Sequence, residues 1–95
     1  MKSSPATVSI IIVNYNGDHH LEENLSSLKA LDYPADALEL IVYDNGSRDN
    51  SLGTVRKLWP SALIISSDHN TGFAAPHAVA AKKARGEVLA LLNND

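Results

Sequence analysis

Four short polar clusters follow the apolar runs of the sequence, and each holds residue types that can grip a ligand. Asn14-Tyr15-Asn16-Gly17 offers an aromatic face, two amides and a glycine leading into a helix start, so that a planar base can lie on Tyr15 while phosphate approaches the backbone. The same four residues also make an ordinary strand-to-helix turn. Asp44, with Asn45-Gly46-Ser47 behind it, places a carboxylate that can accept from a ribose hydroxyl or a base N–H, and it equally suits an Asx-turn or a helix cap. Asp49 and Ser51 read mainly as turn and cap residues. The third cluster is Asp68-His69-Asn70-Thr71-Gly72. The fourth, Asn93-Asn94-Asp95, sets a lone carboxylate beside amides, which suits a hard divalent cation that keeps waters and completes its shell on a substrate diphosphate. It is also a plain turn sequence.

The elements that must position these clusters follow from periodicity. Val8 to Val13 is a continuous, mostly β-branched run, the pattern of a strand buried on both faces of a parallel sheet. Leu21, Leu25, Leu28 and Leu31 recur at spacings of four, three and three, which predicts an amphipathic helix capped by Asp18 and ended by Pro34. Leu38 to Tyr43 is a second buried strand. Leu52, Val55, Leu58 and Trp59 mark a second helix before Pro60, and Ala62 to Ser66 a third strand. Phe73 to Arg85 is Ala-rich and helical, stopping at Gly86, and Val88 to Leu92 is the fourth strand. Strand and helix alternate throughout, which predicts an α/β fold: a Rossmann-like parallel sheet with helices on both faces. In such a sheet the loops beyond the carboxyl ends of the strands hold the ligand, and all four clusters fall on that edge.

Composition narrows the function classes. The 95 residues suit one small unit, 44% hydrophobic and 20% charged, close to globular averages. A net charge of −3 with eight scattered Lys and Arg residues argues against nucleic acid as a partner. With no cysteine there is no disulfide framework and no thiolate nucleophile. The first apolar run is too short and too β-branched for a signal peptide or a spanning helix, so a cytoplasmic location is expected, with the inner face of a membrane open to a longer protein. The Asp44–Ser51 segment lacks the acid spacing of a calcium loop, and the first turn has neither a Walker lysine nor a Gly-x-Gly-x-x-Gly run. His19, His20 and His69 read as solvent or structural residues, and His77 is not a catalytic candidate.

Taken together and in order, Val8 to Gly17, Ile41 to Asp49, Asn70 to Ala75 and Gly86 to Asp95 resemble the start of family 2 glycosyltransferases, most closely the rhamnosyltransferase-like members. The resemblance covers nearly the whole chain. It implies the GT-A fold, with residues 1–95 as the nucleotide-sugar-binding half of a glycosyltransferase domain whose acceptor half lies beyond them. It places the base-stacking loop on Val13, Asn14 and Tyr15, base recognition on Asp44 with Asn45 beside it, and further donor contacts on Gly72 and Asn93. The family's Asp-x-Asp metal motif falls on Asn93-Asn94-Asp95, with Asn93 in place of the first acid, so that Asp95 is the single metal-binding carboxylate. A second departure is Pro76-His77, where the family often has small residues and Asn.

The implied reaction moves a sugar from a UDP- or dTDP-sugar donor to a hydroxyl of a saccharide or glycoconjugate acceptor, with inversion and with a divalent metal, Mg²⁺ or Mn²⁺. The catalytic base is expected outside these residues, so the 95-residue chain alone is expected to be inactive. An open edge on the fourth strand invites self-association. Two other readings stay open: a non-catalytic nucleotide-binding or regulatory α/β module, and an interaction module that uses a bare sheet edge.

Overall fold

Side chains alternate between the two faces of a strand, so an unbroken apolar run must be covered on both sides. The computed structural model, which describes residues 5–72, 74–92 and 94, meets that demand. Strands β1 (Val8–Asn14), β2 (Leu38–Asn45), β3 (Leu63–Ser67) and β4 (Val88–Leu92) form one sheet in the order β3-β2-β1-β4, with every neighbouring pair parallel. Helices α1 (Asp18–Lys29), α2 (Ser51–Leu58) and α3 (Ala74–Lys83) make the crossovers. A short 3₁₀ turn, Ala35–Ala37, leads into β2. The α/β architecture read from the sequence is therefore the one observed.

One face of the sheet packs Ile10, Ile12, Leu40 and Val42 against Leu21 and Leu25 of α1 and Val55 of α2. The other face packs Ile11 and Ile41 against Ala80 of α3. Each buried Ile, Leu or Val side chain here contributes about 1.5–3 kcal/mol relative to exposure. The alanines of α3 keep that helix close to the sheet. Pro76 sits in its first turn, where the backbone N–H that proline lacks has no intrahelical acceptor.

Several boundaries differ from the periodicity. Helix α1 ends at Lys29, well before Pro34, and Leu31 is 53% exposed beyond it. Leu31 continues the i, i+3 spacing only in sequence, because the chain has already turned through bonds from Ala30 N–H to Ser26 and Ser27 and from Leu31 N–H to Leu28. Strand β2 runs on through Asp44 and Asn45, both buried. Strand β3 starts at Leu63 and extends through Ser67, and α3 stops at Lys83. Among the described residues no helix is long and apolar enough to cross a membrane.

The order of the strands sets the location of the crevice. The chain steps outward from β1 to β2 and β3, then returns to place β4 on the other side of β1. The direction reverses between β1 and β4, and the space beyond their carboxyl ends is the preferred ligand position of open α/β sheets.

Candidate functional site

Asp44 and Asn45 are consecutive residues of a strand, so their side chains leave opposite faces of the sheet, and each organises a different loop. Asp44 lies opposite Asn14 in the β1–β2 register and is 2% exposed. One carboxylate oxygen accepts from Asn14 Nδ2 at 3.0 Å and the other from the Ser47 backbone N–H at 2.9 Å. The second bond reaches three residues on, one further than an Asx-turn, and ties the Asp44 carboxylate to its own loop. Ser47 Oγ accepts from Asn14 Nδ2 at 3.2 Å and from the Asn16 backbone N–H at 2.8 Å, and Asn16 Oδ1 accepts the Arg48 backbone N–H at 2.8 Å. Asn16 has φ +50°, a left-handed conformation that asparagine tolerates better than most residues. The loops after β1 and β2 are thus stitched into one surface, from which Tyr15 projects 53% exposed.

Asn45, 3% exposed, serves the loop before α3. Its Nδ2 donates to Gly72 O at 2.7 Å and to Asn70 Oδ1 at 3.2 Å, while its Oδ1 accepts from Thr71 N–H at 2.8 Å and Thr71 Oγ1 at 3.0 Å. Gly72 adopts φ +88°, where a side chain is strained. The amide of Asn45 is engaged on both ends and holds residues 70–72 in place. On the same loop His69 Nδ1 contacts Asp68 at 2.6 Å in full view of solvent, and that hydrogen bond and charge hold the Asp68 carboxyl below the ordinary carboxylate value.

Asn94, just beyond β4, is 8% exposed and joins the group through Asn14 Oδ1, which accepts from its Nδ2. Asn94 Oδ1 in turn accepts from Asn24 Nδ2 on α1 at 2.8 Å. Gly17 makes room for this pair: a Cβ there would come within 2.6 Å of Asn94 Nδ2 and 2.9 Å of Asn14 Oδ1. Among the described residues no buried side-chain nitrogen or oxygen lacks a hydrogen-bond partner.

The two helix starts at this edge also depend on each other. Asp18 does not cap α1, as its position suggested; it is the first helical residue, and its carboxylate accepts from the Thr54 hydroxyl on α2. The backbone N–H of Asp18 is taken by Asp49 Oδ2 at 3.1 Å, while Asp49 Oδ1 accepts the Ser51 N–H at 3.0 Å and the Ser51 hydroxyl. Burial pushes the Asp49 carboxyl up, but its bonds from the Ser51 hydroxyl and from the backbone N–H groups of Ser51 and Asp18 together hold it below the ordinary value. Asp49 therefore takes the first backbone N–H of both helices, in line with its sequence context, whereas Ser51, the first residue of α2, donates to Asp49 and does not cap.

Of the residues proposed to touch a ligand, Val13, Asn14, Tyr15, Asp44, Asn45 and Gly72 all lie at the carboxyl edge. Asn93 and Asp95 lie outside the described residues, as does Phe73. Among the described residues no group of three His, Cys, Asp or Glu side chains could hold a metal ion. Ser47 and Asn24 were not singled out from the sequence. Asn24 carries one usable signal, an amide next to Leu25 on the leucine-lined side of α1.

Comparison with known proteins places these features in a family. Residues 9–95 match the sequence profile of glycosyl transferase family 2. The glycosyltransferase AglE of Haloferax volcanii is 29% identical over 98 residues, spanning 100% of this chain and 32% of its own length. The poly(ribitol-phosphate) β-N-acetylglucosaminyltransferase TarS of Staphylococcus aureus is 32% identical over 90 residues, covering 92% of this chain but 16% of TarS. The crystal structure of TarS residues 1–349 with UDP superposes with a TM-score of 0.88 at 30% identity, over 94% of this chain and 27% of that one. The mannosyltransferase PcManGT of Pyrobaculum calidifontis, in complex with GDP-Man and Mn²⁺, gives 0.87 at 30% identity over 98% of this chain and 28% of its own. The chain thus spans about a third or less of the length of these proteins.

Proposed function

The chain belongs to glycosyl transferase family 2, and we propose that it forms the nucleotide-sugar-binding half of an enzyme that moves a sugar from a nucleoside diphosphate to an acceptor hydroxyl. The observation that carries this reading is the convergence of Asn14, Tyr15, Asp44 and the 70–72 loop on the carboxyl edge, next to the β1/β4 reversal. Structural relatives with UDP or GDP-Man in their complexes support it. In the proposed pose the base lies on Tyr15, and Asp44 accepts the N3–H that uracil and thymine both carry. UDP- and dTDP-sugars are therefore the favoured donors. Among the described residues each Asp44 oxygen accepts one hydrogen bond, from Asn14 or from Ser47, and a second lone pair on either can take this N–H.

Gly72 supplies backbone to the donor, held in place by Asn45. Asn93 and Asp95 complete the proposed site, with Asp95 as the carboxylate offered to Mg²⁺ or Mn²⁺. When bound, a divalent cation would neutralise charge on the departing diphosphate. The base that takes the proton of the acceptor hydroxyl, the saccharide or glycoconjugate acceptor pocket and the inverting geometry are assigned to residues beyond these 95. A rhamnosyltransferase-like specificity, a role in envelope polysaccharide assembly and a cytoplasmic setting at a membrane face belong to the same proposal.

The experiment is calorimetric titration of the folded chain with UDP, dTDP and GDP, with and without Mn²⁺ or Mg²⁺, beside Asp44→Asn and Asp95→Ala. Binding of UDP and dTDP in preference to GDP, lost in Asp44→Asn and made metal-independent in Asp95→Ala, is expected. Equal binding of all three nucleotides, or binding indifferent to Asp44→Asn, would count against base recognition by Asp44. The regulatory-module reading predicts nucleotide binding with no dependence on Asp95.

A further inference from the structure

An ionised carboxylate accepts hydrogen bonds and donates none, so one such group at the end of a row of amides fixes the direction of the whole row. Asp44 stands at that end. Because it accepts, Asn14 must present Nδ2 to it, which leaves Asn14 Oδ1 facing Asn94. Asn94 must then present Nδ2 to Asn14, which leaves its Oδ1 facing α1, where Asn24 Nδ2 donates at 2.8 Å. The relay joins four segments that are 30, 80 and 70 residues apart in sequence at its successive links. Gly17 is the residue whose missing side chain lets the middle link close.

We infer that Asn24, which no ligand contact requires, is a positioning residue: its donated bond closes the far end of the Asn24–Asn94–Asn14–Asp44 relay, whose direction Asp44 sets, and so holds the Asp44 carboxylate in its orientation. The consequence for a ligand rests on the nucleotide-site reading above, whereas the relay itself does not. Its logic is tested by reversing it. Asn24→Asp puts an acceptor where the relay needs a donor. To donate toward position 24, Asn94 must turn its amide over and show its carbonyl oxygen to Asn14. Asn14 must then turn over as well, setting its carbonyl oxygen against the Asp44 carboxylate. Ser47 can adapt to that change by rotating its hydroxyl to donate, but Asp44 cannot. Adding Asp44→Asn supplies a donor at the far end, and a relay of the opposite direction can close, giving up only the long 3.5 Å bond from Asn94 Nδ2 to Gly17 O. Residues 24 and 44 then show energetic coupling although the relay keeps two side chains between them.

The experiment is a thermal-unfolding cycle at neutral pH on the wild-type chain, Asn24→Asp, Asp44→Asn and the double variant, with Asn24→Ala alongside. Asn24→Asp is expected to lower Tm by more than Asn24→Ala. The double variant is expected to recover at least roughly 4 °C over Asn24→Asp, a readable shift for a domain of this size. Additive losses, or Asn24→Asp equal to Asn24→Ala, would overturn the inference. If Asn24→Asp fails to fold, Asn24→Ala decides: the side-chain NH₂ resonances of both Asn94 and Asn14 must move, and an unmoved Asn14 sinks the relay. UDP titration of the wild-type chain separates the two readings. Rescue in a chain that binds no nucleotide keeps the relay and removes the site, while additive losses in a chain that binds UDP do the reverse.

Discussion

Asn45 illustrates how a residue can shape a loop of the proposed nucleotide site while its own side chain faces inward. Its side chain makes four hydrogen bonds to residues 70–72 from a position that is 3% exposed, and no polar atom of it is left to reach outward. Truncation should leave Thr71 N–H and Gly72 O to water or to nothing. Asn45→Ala is therefore expected to cost about 1–3 kcal/mol in chemical denaturation and to speed hydrogen exchange at Thr71. Unchanged exchange there would show that the loop holds its own shape. In sequence, Asp44 and Asn45 looked like neighbours in one turn. The extra strand length through Asn45, which sends the two side chains to opposite faces, was not legible because turn formers continue directly after it.

At the scale of elements, what the sequence made plain was the packing. The Val8–Val13 run and the leucine spacing of α1 specify burial locally, and β1, β2 and α1 appear where that burial requires. What it hid were the long-range polar partners. Asn94 with Asn14 and Asp49 with Asp18 become pairs only after the crossovers bring both loops to one edge. The Asp49 clamp gives a pH prediction for the starts of α1 and α2. Its folded carboxyl lies below the ordinary 3.8, so its contribution is present above that pH and is lost as pH falls through the folded value. The group is exposed, which keeps the contribution small. Thermal melts between about pH 5 and pH 2 should show a steeper acid loss for wild type than for Asp49→Asn. Parallel acid profiles would remove the clamp from the account.

For the whole molecule, the four-strand sheet leaves β4 paired only with β1 among the described strands. Val88 and Leu89 are 48% exposed and Leu91 is 62% exposed, in a strand that carries no charge, proline or bulge to discourage pairing. Self-association of the 95-residue chain through this edge, proposed from the sequence, is expected to appear as concentration-dependent sedimentation and to be suppressed by Leu91→Lys. A wild-type chain that stays monomeric at high concentration would refute it. Away from the carboxyl edge, a cavity of about 250 Å³ lined by Leu28, Leu31, Tyr33, Leu58 and Trp59 offers a competing place for a flat ligand. The position of nucleotide binding, more than its affinity, therefore decides the central claim. The measurement is a map of amide and side-chain NMR shifts on addition of UDP. Changes centred on Asn14, Tyr15, Asp44 and Gly72 are expected; shifts centred on Tyr33 and Trp59, or none in a folded chain, would contradict nucleotide binding at the carboxyl edge.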